Sequence, residues 1–199
     1  MKDSGEETML DLPIDESVLE TDRLHLEPLL PHHASALFAV LADQRIYTYI
    51  PEEPLTDHER LRQRYQQLAT RRSPEGDELW LNWALQRKQE QDYIGVLQAT
   101  VYVDHATIAY LLHPAFWGYG YAMEACHPLL ALAFETYDLP YVDAEVDTRN
   151  RASWTLLERL GFQRVALREA ADHFKGEQSD EYTYQLSKEA WQALTQNDE

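Results

Sequence analysis

Trp117-Gly118-Tyr119-Gly120-Tyr121-Ala122 has the makings of an anion site. Glycines at 118 and 120 permit a sharp turn and close approach of a ligand, and the helical pattern that follows from Met123 presents unpaired N–H groups carrying partial positive charge. A pyrophosphate suits such a place, although a glycine turn before a helix specifies no ligand by itself. Further along, Asp143, Glu145 and Asp147 alternate with Val142, Ala144 and Val146. Neighbouring carboxylates raise one another's proton affinity, so this row offers a general base; it reads equally as a solvated strand face. Tyr110 and His113 are alternative bases, the histidine favoured by its ordinary pKa. Asn150 and Ser153 open a helix-like run, either as an N-cap and a first-turn residue or as polar groups aimed at a reacting centre.

These residues need elements to hold them. Leu24, Leu26 and Leu29 alternate with polar positions as in a half-buried strand, residues 32–42 read as a helix, and Thr56-x-x-Glu59 is a capping box opening a second one. Runs at 79–86, 93–103 and 106–113, joined by Gln89-Glu90-Gln91-Asp92 and Asp104-His105, predict an antiparallel meander. From Tyr121 the period becomes helical, with Met123, Cys126, Leu130, Ala133 or Phe134 and Tyr137 on one face and a kink expected near Glu124 from Pro128. A strand at 141–147, a helix at 151–160 capped by Gly161, and strands at 162–168 and 180–186 complete an α/β (α+β) domain over 19–195. Residues 1–18 read as an acidic, disordered or loosely attached arm.

The chain has 199 residues, 44% of them hydrophobic, enough for one sizeable core. Its only cysteine, Cys126, rules out an internal disulfide, and no apolar run reaches the length of a membrane span, so a cytoplasmic location is expected. Asp and Glu outnumber Lys and Arg by 35 to 17, giving a net charge of −18. Such a surface repels nucleic-acid backbones and anionic membranes and favours cationic partners. No residue specifies an oligomer, though a homodimer is compatible with the pattern.

Taken together, Tyr110-x-x-His113-Pro114-x-x-Trp117-Gly118-Tyr119-Gly120-Tyr121-Ala122-x-Glu124-Ala125, Asn150-x-x-Ser153 and Leu160-Gly161-Phe162 resemble the GNAT acetyltransferases. Glu20-Thr21-Asp22-Arg23-Leu24 is similar to the opening of the RimJ/RimL subgroup. The resemblance spans about residues 20–187 and implies a mixed, centrally split seven-stranded sheet flanked by helices. Its fourth and fifth strands, here 106–113 and 141–147, would part to admit acetyl-CoA. The family's pyrophosphate motif, Gln/Arg-x-x-Gly-x-Gly/Ala, falls on Trp117, Gly120 and Ala122; main-chain N–H groups do most of that binding, so the tryptophan is tolerated. The resemblance implies cofactor contacts from Leu112, His113, Trp117, Gly118, Tyr119, Gly120, Tyr121, Ala122, Asn150 and Ser153, with Trp117 also read as a packing anchor, and no metal.

The implied chemistry is attack of a neutral amine on the thioester, giving a tetrahedral oxyanion that expels CoA thiolate. A main-chain N–H around Leu111 to His113 would serve as the oxyanion donor. Many family members carry a tyrosine four residues after the position of Ser153; here that place holds Leu157, which cannot donate a proton. Ser153 then becomes the candidate partner of the thioester sulfur, and Glu145, from the acidic row, the candidate base. The absence of a strong base favours a protein N-terminal α-amine, with a pKa of about 8, over a lysine or polyamine nitrogen near 10.4. A small cationic amine remains the other acceptor class, and a non-catalytic acyl-CoA-binding or scaffold module of the same fold is the alternative function.

Overall fold

The computed structural model describes residues 10, 12–14, 16–54 and 56–196. Its elements are β1 (Leu19–Glu20), β2 (Leu24–Pro28), α1 (Ala34–Val40), α2 (His58–Leu68), β3 (Leu79–Arg87), β4 (Tyr93–Val101), β5 (Ala106–Leu112), α3 (Tyr121–Ala131), β6 (Tyr141–Asp147), α4 (Arg151–Arg159), β7 (Gln163–Phe174), β8 (Glu177–Ser187) and α5 (Lys188–Thr195). The strands form one eight-stranded sheet in the order β1-β2-β3-β4-β5-β6-β8-β7. The count exceeds the expected seven because a two-residue strand, β1, pairs antiparallel with β2. The expected fourth and fifth strands are therefore β5 and β6.

Alternation along the strands builds a core on each face. Leu79, Leu81, Trp83 and Leu85 of β3 and Val142, Ala144 and Val146 of β6 join Cys126, Leu129 and Leu130 of α3, Leu157 of α4 and Trp191 of α5 in the larger cluster. Ala84 of β3 and Val96 of β4 meet Leu37 of α1 and Leu61 and Tyr65 of α2 in the smaller one. Strands β3 and β4 are thus buried on both faces, which explains why they read as nearly continuous apolar runs.

Several local details differ from expectation. Asp57, not Thr56, caps α2, its carboxylate accepting from the Glu59 N–H at 2.8 Å. Pro128, from which a kink near Glu124 is expected, lies inside α3 without ending it, and a five-residue π turn, Leu132–Thr136, follows the helix. The last two strands are longer than the alternation showed, because β7 is an edge strand exposed over most of its length and gives little apolar signal. Part of the proposed N-terminal arm, residues 1–9, 11 and 15, lies outside the described residues. Within the described part, Leu10 is buried, its N–H donates to Gly76 O at 3.1 Å, and Arg72 donates to the carbonyls of Leu10 and Leu12.

The feature that prepares the site is a bulge in β4. Gly95 pairs with Leu85 and Tyr93 with Gln86, leaving Ile94 as the extra residue. Beside it, a Cβ on Gly95 would lie 2.2 Å from Leu111 O and 2.9 Å from Leu112 Cα. Only glycine lets β5 approach this closely at its C-terminal end. Gly95→Ala is expected to push β5 from β4 and lower stability by about 1–3 kcal/mol, as overpacking does. Urea unfolding checks this: the midpoint should fall with the slope unchanged, and an unshifted midpoint refutes it.

Candidate active site

Strands β5 and β6 pair in parallel at Ala106↔Val142 and Thr107↔Asp143 and nowhere further along. Each keeps its other neighbour: β5 stays on β4 to Leu112↔Gly95, and β6 stays on β8 to Asp147↔Glu181. The sheet therefore opens between them. His113 N–H donates across β4 to Ile94 O at 2.9 Å. By antiparallel alternation the main-chain groups of Leu112 and Tyr110 point the other way, into the opening. The Leu112 carbonyl is taken by the Trp117 indole N–H at 2.8 Å, while the Leu112 N–H faces the gap. Trp117 thus anchors the following loop to the strand end. His113 is held as a turn cap, its Nδ1 accepting from the Ala115 N–H at 3.2 Å.

The loop ends in a glycine turn with φ of +79° at Gly118 and +83° at Gly120, the latter being the N-cap of α3. Nothing lies within 4 Å of where a Cβ would stand on Gly118. Tyr119 and Trp117 are exposed, and Tyr121 and Ala122 begin the helix. The turn is braced from outside by a clasp that the sequence reading did not assign. Glu124 accepts from Thr21 Oγ1 at 2.5 Å, from the Arg23 N–H at 2.8 Å and from Arg23 Nε at 2.6 Å. Arg23 Nη1 also donates to Tyr119 O at 3.1 Å, and its guanidinium lies 4.3 Å from the Tyr121 ring centroid. Burial raises the proton affinity of Glu124, but these donors outweigh it and hold the carboxyl below its usual range. The signal was present, since Thr21, Arg23 and Glu124 all stood in the motifs quoted above.

Across the opening, the Tyr110 hydroxyl lies 2.8 Å from Ser153 Oγ and 3.3 Å from Ser153 O. Ser153 is placed by Asn150, whose side-chain oxygen accepts from the Ser153 N–H at 3.2 Å as the cap of α4. Burial pushes the Tyr110 phenol well above its ordinary value, only partly offset by Ser153. At neutral pH Tyr110 is therefore a proton-bearing donor and no base. Cys126 sits fully buried nearby in the core, its thiol pushed up to about 12 by desolvation, and so stays protonated.

The acidic row resolves into three different groups on the face of β6 opposite α4. Asp147 is buried and receives Arg149 Nη2 at 2.7 Å and Ser179 Oγ at 2.7 Å. Burial alone would raise its carboxyl, yet Arg149 and Ser179 bring it below the carboxylate range. Asp143 accepts from Gln185 at 3.0 Å and is raised, burial being the main cause. Glu145 is half exposed, with Arg168 Nη2 at 3.6 Å. Glu145 and Ser153 therefore stand on opposite faces of the sheet.

On the Glu145 face, a cavity of about 200 Å³ lies between β4, β5, α1 and α2, bordered by Ala109 and Leu111 on either side of Tyr110 in sequence. The tip of the β7–β8 hairpin reaches this region. Lys175 Nζ donates to the carbonyls of Tyr47 and, at 2.9 Å, Ile50. Among the described residues, no group of three or more His, Cys, Asp or Glu is placed to hold a metal, and no helix is long and apolar enough to cross a membrane.

A mixed sheet parted beside a left-handed glycine turn is the architecture of the acetyltransferase class that the motifs resemble. The acetyltransferase (GNAT) domain family matches residues 23–163, and the chain belongs to it. The uncharacterized N-acetyltransferase YoaA of Bacillus subtilis (strain 168) is 26% identical over 174 residues, covering 86% of this chain and 97% of that one. Among solved structures, a GCN5-related N-acetyltransferase from Brucella melitensis aligns with a TM-score of 0.77 at 20% identity, covering 92% of this chain and 84% of that one. The ribosomal-protein-S5-alanine acetyltransferase from Vibrio fischeri aligns with a TM-score of 0.75 at 17% identity, covering 88% and 98%.

The lowered carboxyl of Asp147 fixes the sign of one pH effect. A depressed folded-state value means that its contribution is present above the unfolded value, about 3.9, and is lost as pH falls through the folded one. Asp147→Asn should cost about 2 kcal/mol at pH 7, the scale of charge-assisted hydrogen bonds, and the gap from wild type should narrow below about pH 4. Urea midpoints measured across that range check it; a pH-independent gap is the contrary result.

Proposed function

We propose that the protein transfers the acetyl group of acetyl-CoA to a primary amine by direct attack, as a RimJ/RimL-like acetyltransferase. The observation that carries this reading is the Tyr110–Ser153 hydroxyl pair at the mouth of the parted strands. The residues present fit the co-substrate: two glycines at positive φ, open space around Gly118 and the first N–H groups of α3 suit a pyrophosphate. Bound acetyl-CoA supplies an activated acetyl group as a thioester.

Each remaining service falls to a residue of the chain. The Leu112 N–H, aimed into the opening, donates to the carbonyl oxygen as negative charge develops on it. Tyr110 and Ser153 donate toward the departing sulfur. The phenol that α4 lacks at Leu157 is thus supplied from the neighbouring strand, and its raised pKa keeps its proton in place. Glu145, on the acceptor face, takes the proton released by the amine. A protein N-terminal α-amine and a small cationic amine both suit this arrangement, and the acidic surface favours either.

Calorimetric titration with acetyl-CoA, followed by thiol release over a panel of amines, tests the reading. Failure to bind acetyl-CoA refutes it, and binding without turnover of any amine returns the protein to a binding module. Gly120→Glu should abolish acetyl-CoA binding, because its charge repels phosphate, and should lower the thermal midpoint by a few degrees with unfolding still cooperative, because a side chain at φ +83° is strained. Ser153→Ala and Tyr110→Phe should each lower kcat about 100-fold, the lower end of the range for lost proton transfer, with little change in acetyl-CoA affinity. Full turnover in both variants removes the role given to the pair.

A further inference from the structure

The cavity between α1, α2 and the sheet carries information about the acceptor that the reacting residues do not. Its apolar walls include Phe38, Leu41, Leu61, Val96 and Leu111, and Arg64 and Gln98 add a cation and an amide to the lining. Into the same space comes Tyr65, from the buried face of α2; the residue is 3% exposed, and its hydroxyl is buried with no hydrogen-bond partner among the described residues. A buried hydroxyl left unpaired is costly, and native structures rarely keep one without a reason. The cavity volume of about 200 Å³ is smaller than a drug-sized site but larger than the ~150 Å³ apolar cavity that accommodates benzene. One ring or one branched aliphatic group fills it.

Position ties this space to the reaction. Ala109 and Leu111 border it and flank Tyr110, so a group seated there has its attachment point beside the opening between β5 and β6. Glu52 and Glu53 lie at its exposed margin, where their carboxylates attract an ammonium group before transfer. A polyamine, charged along its whole length, would have to shed water from its cations to enter walls of leucine and phenylalanine.

We infer that the acceptor is a primary amine carrying a single aromatic or branched apolar group with a hydrogen-bonding atom on it, which the Tyr65 hydroxyl pairs inside the cavity. Tyr65 is then a specificity-determining residue. The inference rests on the acetyltransferase reading above and narrows its acceptor. The same chemistry occurs in a free arylalkylamine and in a peptide whose first residue is tyrosine.

The probes are tyramine, phenethylamine, spermidine, and peptides beginning with Tyr or Ala, assayed for kcat/KM with saturating acetyl-CoA. Tyramine or the Tyr peptide should be the best acceptor, and which of the two leads identifies the source. Tyr65→Phe should reduce the preference for tyramine over phenethylamine at least 10-fold, with acetyl-CoA affinity unchanged and the thermal midpoint unlowered, because the lost hydroxyl has no partner among the described residues. Spermidine or the Ala peptide as best acceptor, or a tyramine preference unmoved by Tyr65→Phe, overturns the inference while leaving acetyl transfer intact. Should acetyl-CoA not bind, the parent reading fails separately. Calorimetric affinities of tyramine and phenethylamine for wild type and Tyr65→Phe then decide the inference: tyramine favoured only by wild type supports it, and equal affinities overturn it.

Discussion

Everything at the site depends on a pairing that stops. A parallel ladder normally continues while both strands last, because each unpaired main-chain group costs free energy once removed from water. Here β5 and β6 exchange partners over two residue pairs and then part, although both remain strands to Leu112 and Asp147. The opening persists because each strand is held elsewhere. Antiparallel ladders secure their outer edges, the Ile94 bulge turns β4 beside the end of β5, and the two cores grip the sheet from both faces. In place of main-chain bonds, the Tyr110–Ser153 contact spans the gap, so the pair proposed to act on the thioester is also structural support.

Much of this was legible in the chain, for physical reasons. A nearly continuous apolar run places 79–86, and period-2 alternation places 141–147, close to their observed bounds because the first strand is buried on both faces and the second on one. The glycine turn was legible because positive φ is a property that glycine alone readily supplies. Less legible was anything depending on partners distant in sequence. Edge strand β7 lacks a buried face and so lacks alternation, the bulge at Ile94 changes no residue type, and α5, capped by Ser187, follows the last strand without a break in composition. The acidic row illustrates the limit most clearly. Asp143, Glu145 and Asp147 look alike along the strand, yet Gln185, Arg168, and Arg149 with Ser179 make of them three different acids.

The face proposed to take the acceptor is assembled from segments that are far apart in the chain. Leu29 precedes α1, Tyr65 lies on α2, Ala109 and Leu111 belong to β5, and Lys175 arrives from the β7–β8 hairpin to bond the Tyr47 and Ile50 carbonyls. The proposed cofactor side is more local, running almost continuously from Leu112 to Glu124 with α4 added. Under that reading, changes in α1, α2 and the hairpin would reshape the acceptor side without disturbing the turn.

The clasp on Glu124 links that turn to the N-terminal end of the sheet. Thr21 and Arg23 sit more than 100 residues from Glu124 in sequence, yet their bonds tie β2 to the first turn of α3. Any ligand that orders the turn must also raise the free energy needed to open the clasp, because anything that binds only the closed arrangement deepens it. Occupancy of the proposed phosphate cradle would thereby reach the edge of the sheet as slower amide exchange around residues 19–24, with Arg23, at the turn, as the link.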